Sequence, residues 1–321
     1  MKYTREIGGY FGLEQLIHRE YYSNLIALNN ARNALVYLLK ARNIQKLYLP
    51  FFLCDSVSSV CARENCAYEY YHIDKDFLPV FKKTLEDGEY LYVVNFYGQV
   101  SNERIVELKE IYKNIIFDNV QAFFQKPIAG IDTIYSCRKF FGVPDGGYLS
   151  TDVRLNERIV TDVSKDRMKH ILGRFEGCAG EYYADFKAND HSFVDLELKE
   201  MSALTHNILG AVDYDYVRKQ RNSNYRLLDS VLGNMNLLSL VEPDGPYCYP
   251  FYCKNGMSVK RKLAQNKIFV ATLWPNVLDL NDSLEKDYAE NILPLPCDQR
   301  YIDEDMNVVI ELILACMSER K

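Results

Sequence analysis

Apolar and polar residues follow a mixed helix and strand rhythm through the first half of the chain. Leu35, Leu38 and Leu39 recur at helical spacing after the break at Asn29-Asn30, which predicts a helix over Ala31–Ala41 with a buried stripe. The stretch before it, from residue 14, reads as helix or extended arm. A short apolar run at 47–49, closed by Pro50, predicts a strand, and a helix is expected from about Asp55 or Ser56. Residues 68–74 and the run beginning at Glu89 read as further strands, separated from the next by the amphipathic ERIVELKEIYK. The continuous apolar run IIF then ends on Asp118, the pattern of a strand buried on both faces. Regular alternation of strand and helix predicts right-handed βαβ units and a mostly parallel sheet, an α/β fold.

The second half is less regular. Residues 154–175 read as helix, 178–193 as a loop with partial structure, and 197–232 as one long helix. After these come an expected strand at 247–253, a helix at 258–266, a strand at 268–271 and a final helix at 303–317. That sequence of elements suggests a smaller α+β domain. The expected division is a large domain over residues 1–212 and a small C-terminal domain over 213–321.

Composition narrows the function. With 321 residues the chain can bury a sizeable core, and 48% hydrophobic against 26% charged residues are ordinary globular proportions. The net charge of −6 and the lack of a basic stripe argue against nucleic acid as a partner. No apolar run approaches a membrane span, and the start MKYTREIGGYFG lacks the apolar core of a signal peptide, so a cytoplasmic protein without membrane contact is expected. Nine cysteines without paired spacing, beside five histidines, read as reduced thiols with no metal site.

The stretch IYSCRKFFGVPDGGYLST carries the candidate chemistry. Lys139 follows a strand end at Tyr135-Ser136 and precedes a glycine-rich loop, where an amine with lowered pKa can form a Schiff base with an aldehyde. The alternative is an ordinary surface lysine beside a turn. Upstream, KNIIFDNVQAFF puts Asp118 at a strand's C-terminal end, where open α/β sheets hold their ligands. Such a carboxylate can pair with a protonated pyridine nitrogen of pyridoxal phosphate (PLP), with Gln121 reaching the ring oxygen. Taken alone, Asp118 also fits a helix N-cap.

Asp118-Asn119-Val120-Gln121, together with Lys139 and Asp145-Gly146-Gly147 further along, resembles the DegT-type sugar aminotransferases, a family of fold-type I PLP enzymes. The resemblance runs in order over nearly the whole chain. It implies PLP on Lys139, Asp118 at the pyridine nitrogen, and Ser136 with the start of the first helix at the phosphate. The family's S-G-T-x-A-L there reads Asn30-Ala31-Arg32-Asn33-Ala34-Leu35. Ala31 keeps a small residue, while Arg32 is either a second phosphate ligand or a solvated helix arginine. The family's ring-stacking aromatic falls on Cys54, just after Phe51 and Phe52. Asn95 stands where relatives often carry histidine, in the segment ending Tyr97-Gly98-Gln99, and it and Trp274 are candidate substrate contacts. The family's histidine after L-P-C is Asp298 here, and Lys199-Glu200 replaces its usual arginine.

The resemblance implies an aminotransferase acting on an amino acid donor and a keto sugar nucleotide, in polysaccharide or natural-product biosynthesis, as a homodimer. Two other readings stand beside it. A sugar dehydratase of the same fold is disfavoured because that branch replaces the lysine by histidine. A non-catalytic relative binding a sugar nucleotide or a protein is motivated by the departures at Arg32, Cys54 and Asp298.

Overall fold

The computed structural model describes residues 9–16 and 19–318. Strand β1 (Ile26–Leu28) leads into helix α1 (Ala31–Ala41), followed by β2 (Lys46–Pro50), α2 (Asp55–Arg63), β3 (Ala67–Ile73) and the short β4 (Pro79–Val80). Then come β5 (Glu89–Val94), α3 (Asn102–Tyr112), β6 (Ile115–Asp118), β7 (Asp132–Ser136) and β8 (Gly147–Ser150). These strands form an eight-stranded sheet in the order β1-β8-β7-β6-β5-β2-β3-β4. From β3 through β7 every neighbouring pair is parallel, and only the flanks are antiparallel. The central strands β5 and β6 are Val- and Ile-rich and almost wholly buried, as a sheet covered on both faces requires.

Helix α1 forms where the sequence pattern places it. Asn30 is extended, its side chain accepts from the Asn33 N–H at 2.7 Å, and Leu35, Leu38 and Leu39 are buried. The helix packs on β7 and β8. That approach depends on Gly147, because a Cβ there would lie 2.8 Å from the Asn30 carbonyl carbon and 2.9 Å from the Ala31 nitrogen. Gly146 takes φ +112°, a backbone conformation that suits glycine, and its N–H donates to the Asn29 carbonyl at 2.7 Å. Asp145 is fully buried and accepts from the Ser202 N–H (3.0 Å), Ser202 Oγ (2.8 Å) and Thr205 Oγ1. The Asp-Gly-Gly turn is therefore a structural clamp beside Lys139.

Beyond the sheet run α4 (Lys169–Glu176), α5 (Tyr183–Ser192), α6 (Ala203–Leu209), α7 (Tyr214–Leu232), β9 (Tyr249–Tyr252), α8 (Gly256–Gln265), α9 (Leu284–Asn291), β10 (Ile292–Leu295) and α10 (Asp303–Ser318). Strands β9 and β10 pair antiparallel in a second sheet with its own apolar cluster, in which Tyr225, Leu228, Phe251, Leu293 and Ile313 meet.

Four expected elements differ. The stretch 154–164 is not helical: the Leu155 N–H donates to the Tyr37 hydroxyl, and the Val160 carbonyl accepts from Glu200, so tertiary partners replace the helical ladder. Within the expected loop at 178–193, helix α5 forms. The long helix is two, α6 and α7, since Ser202 and Asp213 each cap a new start. Residues 268–271 pair with no strand; the Ile268 N–H instead closes the end of α8 on the Leu263 carbonyl.

Candidate active site

The C-terminal ends of β5, β6 and β7 and the start of α1 open into a cleft of about 620 Å³, whose other wall comes from the C-terminal part of the chain. Strand register explains its floor. Val94 pairs with Asp118, and Tyr92, two residues earlier on the same face of β5, also reaches the cleft. Asp118 is buried. Its Oδ2 accepts from the Tyr92 hydroxyl at 2.8 Å and its Oδ1 from the Val120 N–H at 2.9 Å. Burial raises its pKa above the usual carboxylate value, while the Lys139 ammonium and these two donors pull it back down.

Gln121 is buried against the same floor, and its Oε1 accepts from the Tyr97 N–H at 2.8 Å. Tyr97 takes φ +57° there, in the left-handed region. With the amide oxygen so fixed, Gln121 is left with its NH2 as a donor toward the cleft. Lys139 lines the cleft too, its side chain open to solvent and its Nζ 5.8 Å from the centre of the Tyr247 ring.

The start of α1 adds groups suited to an anion. The first N–H groups of α1 have no partner within the helix and carry its positive dipole end. Asn30 lines the cleft at 4% exposure with its Nδ2 buried and unpartnered. Among the described residues Arg32 makes no hydrogen bond or ion pair, and it lines the cleft instead of the outer helix face. Ala31 and Ser136 border the same space. Arg138 adds positive charge nearby; its Nη2 reaches Asp190 at 3.3 Å, and its guanidinium stacks over Phe193.

Of the sequence candidates, Asp118, Gln121, Ser136, Lys139, Ala31, Arg32, Cys54 and Trp274 come together in this cleft. Cys54 is exposed at the start of α2, its Sγ 2.7 Å from Ser56 Oγ, whereas Phe52 is buried against Trp274 and Phe51 stacks on Tyr70. Trp274 is largely core, wedged against Phe52, Phe96 and Tyr97, with one edge on the cleft. Asn95 is a correction. It is fully buried, its amide donates to Asn119 (2.9 Å) and Gln125 (2.6 Å), and its oxygen accepts from the Val100 N–H, so none of it remains for a substrate. Sequence reading missed Tyr92, Arg138, Arg221 and Tyr247. Only Tyr92 had a signal, its place in the alternation YLYVV beside the Asp118 strand.

No family model matches the chain, and no curated protein matches its sequence. Solved structures do share its fold. A DegT DnrJ EryC1 StrS aminotransferase from Brucella abortus superposes with a TM-score of 0.64 at 16% identity, over 91% of this chain and 85% of that one. The fold is that of the DegT-type aminotransferases. NtdA from Bacillus subtilis, with bound cofactor PMP, shares this aminotransferase fold at a TM-score of 0.65 and 15% identity, over 91% and 72% of the two chains. DesV from S. venezuelae, in complex with a ketimine intermediate, gives 0.60 at 13% identity over 90% and 83%.

Proposed function

We propose that this chain is a PLP-dependent aminotransferase that moves an amino group from an amino acid to a keto sugar carried on a nucleotide, in polysaccharide or natural-product biosynthesis. One observation carries the reading: a buried carboxylate, an amide donor, an amine and a set of anion-binding groups line one cleft, the groups that a pyridoxal ring and its phosphate would need. The unpartnered Asn30 amide and Arg32 guanidinium fit a phosphate, and the buried Asp118 fits a cationic ring nitrogen.

When bound, PLP supplies an electron sink for negative charge at the substrate's α-carbon. The chain's own groups do the rest. Asp118 provides the negative charge that keeps a ring nitrogen protonated, and Tyr92 holds that carboxylate in place. The Gln121 NH2 donates to the ring oxygen. Arg32, Asn30, Ser136 and the start of α1 grip the phosphate. Lys139 Nζ would hold the cofactor and, when free, would take the proton from the donor's α-carbon and deliver one to the acceptor's carbon that gains the amine. Trp274 and Cys54 border the space left for substrate and ring.

The active unit is read as a cytoplasmic homodimer, with the domain division near residue 212. Leu172, Phe175 and Tyr183 are exposed on the α4–α5 segment, whose Phe186 and Asp190 reach the cleft, and such an apolar rim suits a partner subunit. Of the tyrosine-rich GGYFG segment, Gly8 lies outside the described residues, while Tyr10 and Phe11 are exposed. Among the described residues no helix is long and apolar enough to cross a membrane.

The test is optical and chemical. Purified protein with PLP should be yellow, borohydride should bleach it, and peptide mapping should find the pyridoxyl group on Lys139. A colourless protein, or a label on another lysine, overturns the reading.

A further inference from the structure

Two sulfurs line the cleft, those of Cys54 and Cys248, and they differ in access. Cys248 is buried, and burial pushes its thiol pKa well up, which leaves it inert. Cys54 is exposed. It stands just before the first turn of α2, and its Sγ lies 2.7 Å from Ser56 Oγ, whose hydroxyl can donate to the sulfur. The other exposed cysteine among the described residues, Cys178, is not part of the cleft. What reacts with an open thiol depends on the charges around it.

Around Cys54 those charges favour an anion. The cleft wall carries five arginine and lysine side chains and four aspartates. Asp190 and Asp298 are already held by Arg138 and Arg300, and Asp118 is buried at the floor. Asp55, beside Cys54, is then set against Arg32, Lys139 and the buried Arg221, none of which makes an ion pair among the described residues. Asn30 points to a ligand independently of these charges. It lines the same cleft at 4% exposure, and its buried Nδ2 has no acceptor. A buried donor of this kind suits an oxygen-bearing anion. Helix α1, which Asn30 caps, packs against α2, which Cys54 begins.

We propose that Cys54 is a thiol-exchange site for small anionic disulfides of the glutathione type, and that the mixed disulfide closes the cleft to phosphate-bearing ligands. The regulatory meaning, exclusion of PLP, rests on the aminotransferase reading. In the exchange the Cys54 thiolate attacks one sulfur of the disulfide. That S–S bond breaks, a new one forms to Cys54, and the departing glutathione thiolate takes up the proton that Cys54 gave up. Cys54 is oxidised and half of the disulfide reduced, so no further oxidant is needed. The carboxylates of the tripeptide meet Arg32 and the Asn30 amide. A thiol reductant reverses the step.

The probes are glutathione disulfide and the neutral bis(2-hydroxyethyl) disulfide, applied to reduced, full-length protein freed of PLP. Peptide mass spectrometry reads the adducts, with Cys178 as the reference inside the same chain. The ratio of Cys54 to Cys178 modification should be higher with glutathione disulfide than with the neutral reagent. Inorganic phosphate should lower it, acting on Cys54 and not on Cys178. Arg32→Ala should cut the preference roughly tenfold or more, the effect of losing a bond to a charged group. Equal ratios for the two reagents overturn the proposal, as does a preference that neither phosphate nor the substitution reduces. Glutathionylated protein, treated with PLP and borohydride, should carry no pyridoxyl group on Lys139 until dithiothreitol has removed the adduct. Equal labelling before and after dithiothreitol overturns the closure of the cleft. Reduced protein that never labels Lys139, yet shows phosphate-sensitive exchange at Cys54, sinks the aminotransferase and leaves the exchange site standing.

Discussion

The Tyr92 hydroxyl donates to Asp118 Oδ2 at 2.8 Å, inside the sheet, where both residues are buried. The bond stabilises the ionised carboxylate against the desolvation that raises its pKa. Tyr92→Phe should therefore raise that pKa further and cost about 1.5–3 kcal/mol in the stabilisation of the carboxylate. The sign follows from linkage. A carboxyl raised in the folded state keeps its proton after the unfolded chain has lost it. Its contribution is complete below the ordinary carboxylate pKa and is lost as pH rises through the folded value. Melting of apo protein across that window should fall more steeply in Tyr92→Phe than in wild type, and least in Asp118→Asn. Identical profiles in all three would mean that Asp118 does not titrate there.

Arg32 lines the cleft at the start of α1 with no partner among the described residues. Arg32→Ala should weaken PLP binding by about 1.5–3 kcal/mol, the range for hydrogen bonds to a charged group. Titrating PLP into apo variant and wild type measures it, and equal affinities would remove the arginine from the phosphate site.

Gly147 lets β8 touch the first turn of α1. In Gly147→Ala the new methyl would meet backbone atoms of Asn30, Ala31 and Tyr135 within 3 Å, and backbone yields less readily than a flexible side chain. The variant should lose about 1–3 kcal/mol of stability, the usual cost of overpacking. Its affinity for inorganic phosphate should fall too, because the helix start moves. Denaturant titration and phosphate binding check the two effects, and an unchanged midpoint would show that the contact is slack.

His206 Nδ1 lies 2.5 Å from Glu20 Oε1, and Tyr148 also donates to that carboxylate, which ties the N-terminal segment to α6. The Glu20 hydrogen bond raises the histidine's pKa above 6.5. A raised basic group stabilises the fold fully below its unfolded pKa and loses that contribution as pH rises through the folded value. His206→Gln should therefore lower the melting temperature at pH 6 and change it little at pH 9. Equal losses at both values would show that the pair acts through packing instead of charge.

Much of this site was legible because its chemistry sits at strand ends. The run IIF-Asp and the turn after Tyr135-Ser136 place Asp118, Gln121 and Lys139 by local rules, and the sheet brings neighbouring strand ends together. Asn95, placed only by the family resemblance, is misassigned, because Asn119 and Gln125 claim its amide only in the folded chain. Arg221 looked like any residue of a charged helix; its burial depends on Phe140, Pro246 and Gln299, all distant in sequence. Residues 154–164 failed for a related reason, since backbone groups bound to Tyr37 and Glu200 leave no periodic trace.

The chain has a single tryptophan, and its indole is pressed between Phe52, Phe96 and Tyr97 of the main sheet side while one edge meets the cleft. Its emission is therefore a local reporter, uncontaminated by any other indole. A ligand that absorbs in the near ultraviolet and occupies the cleft would quench it by energy transfer. A shift of the C-terminal wall against the sheet would change its colour instead. The protein carries its own optical gauge of what the cleft holds and how tightly it is shut.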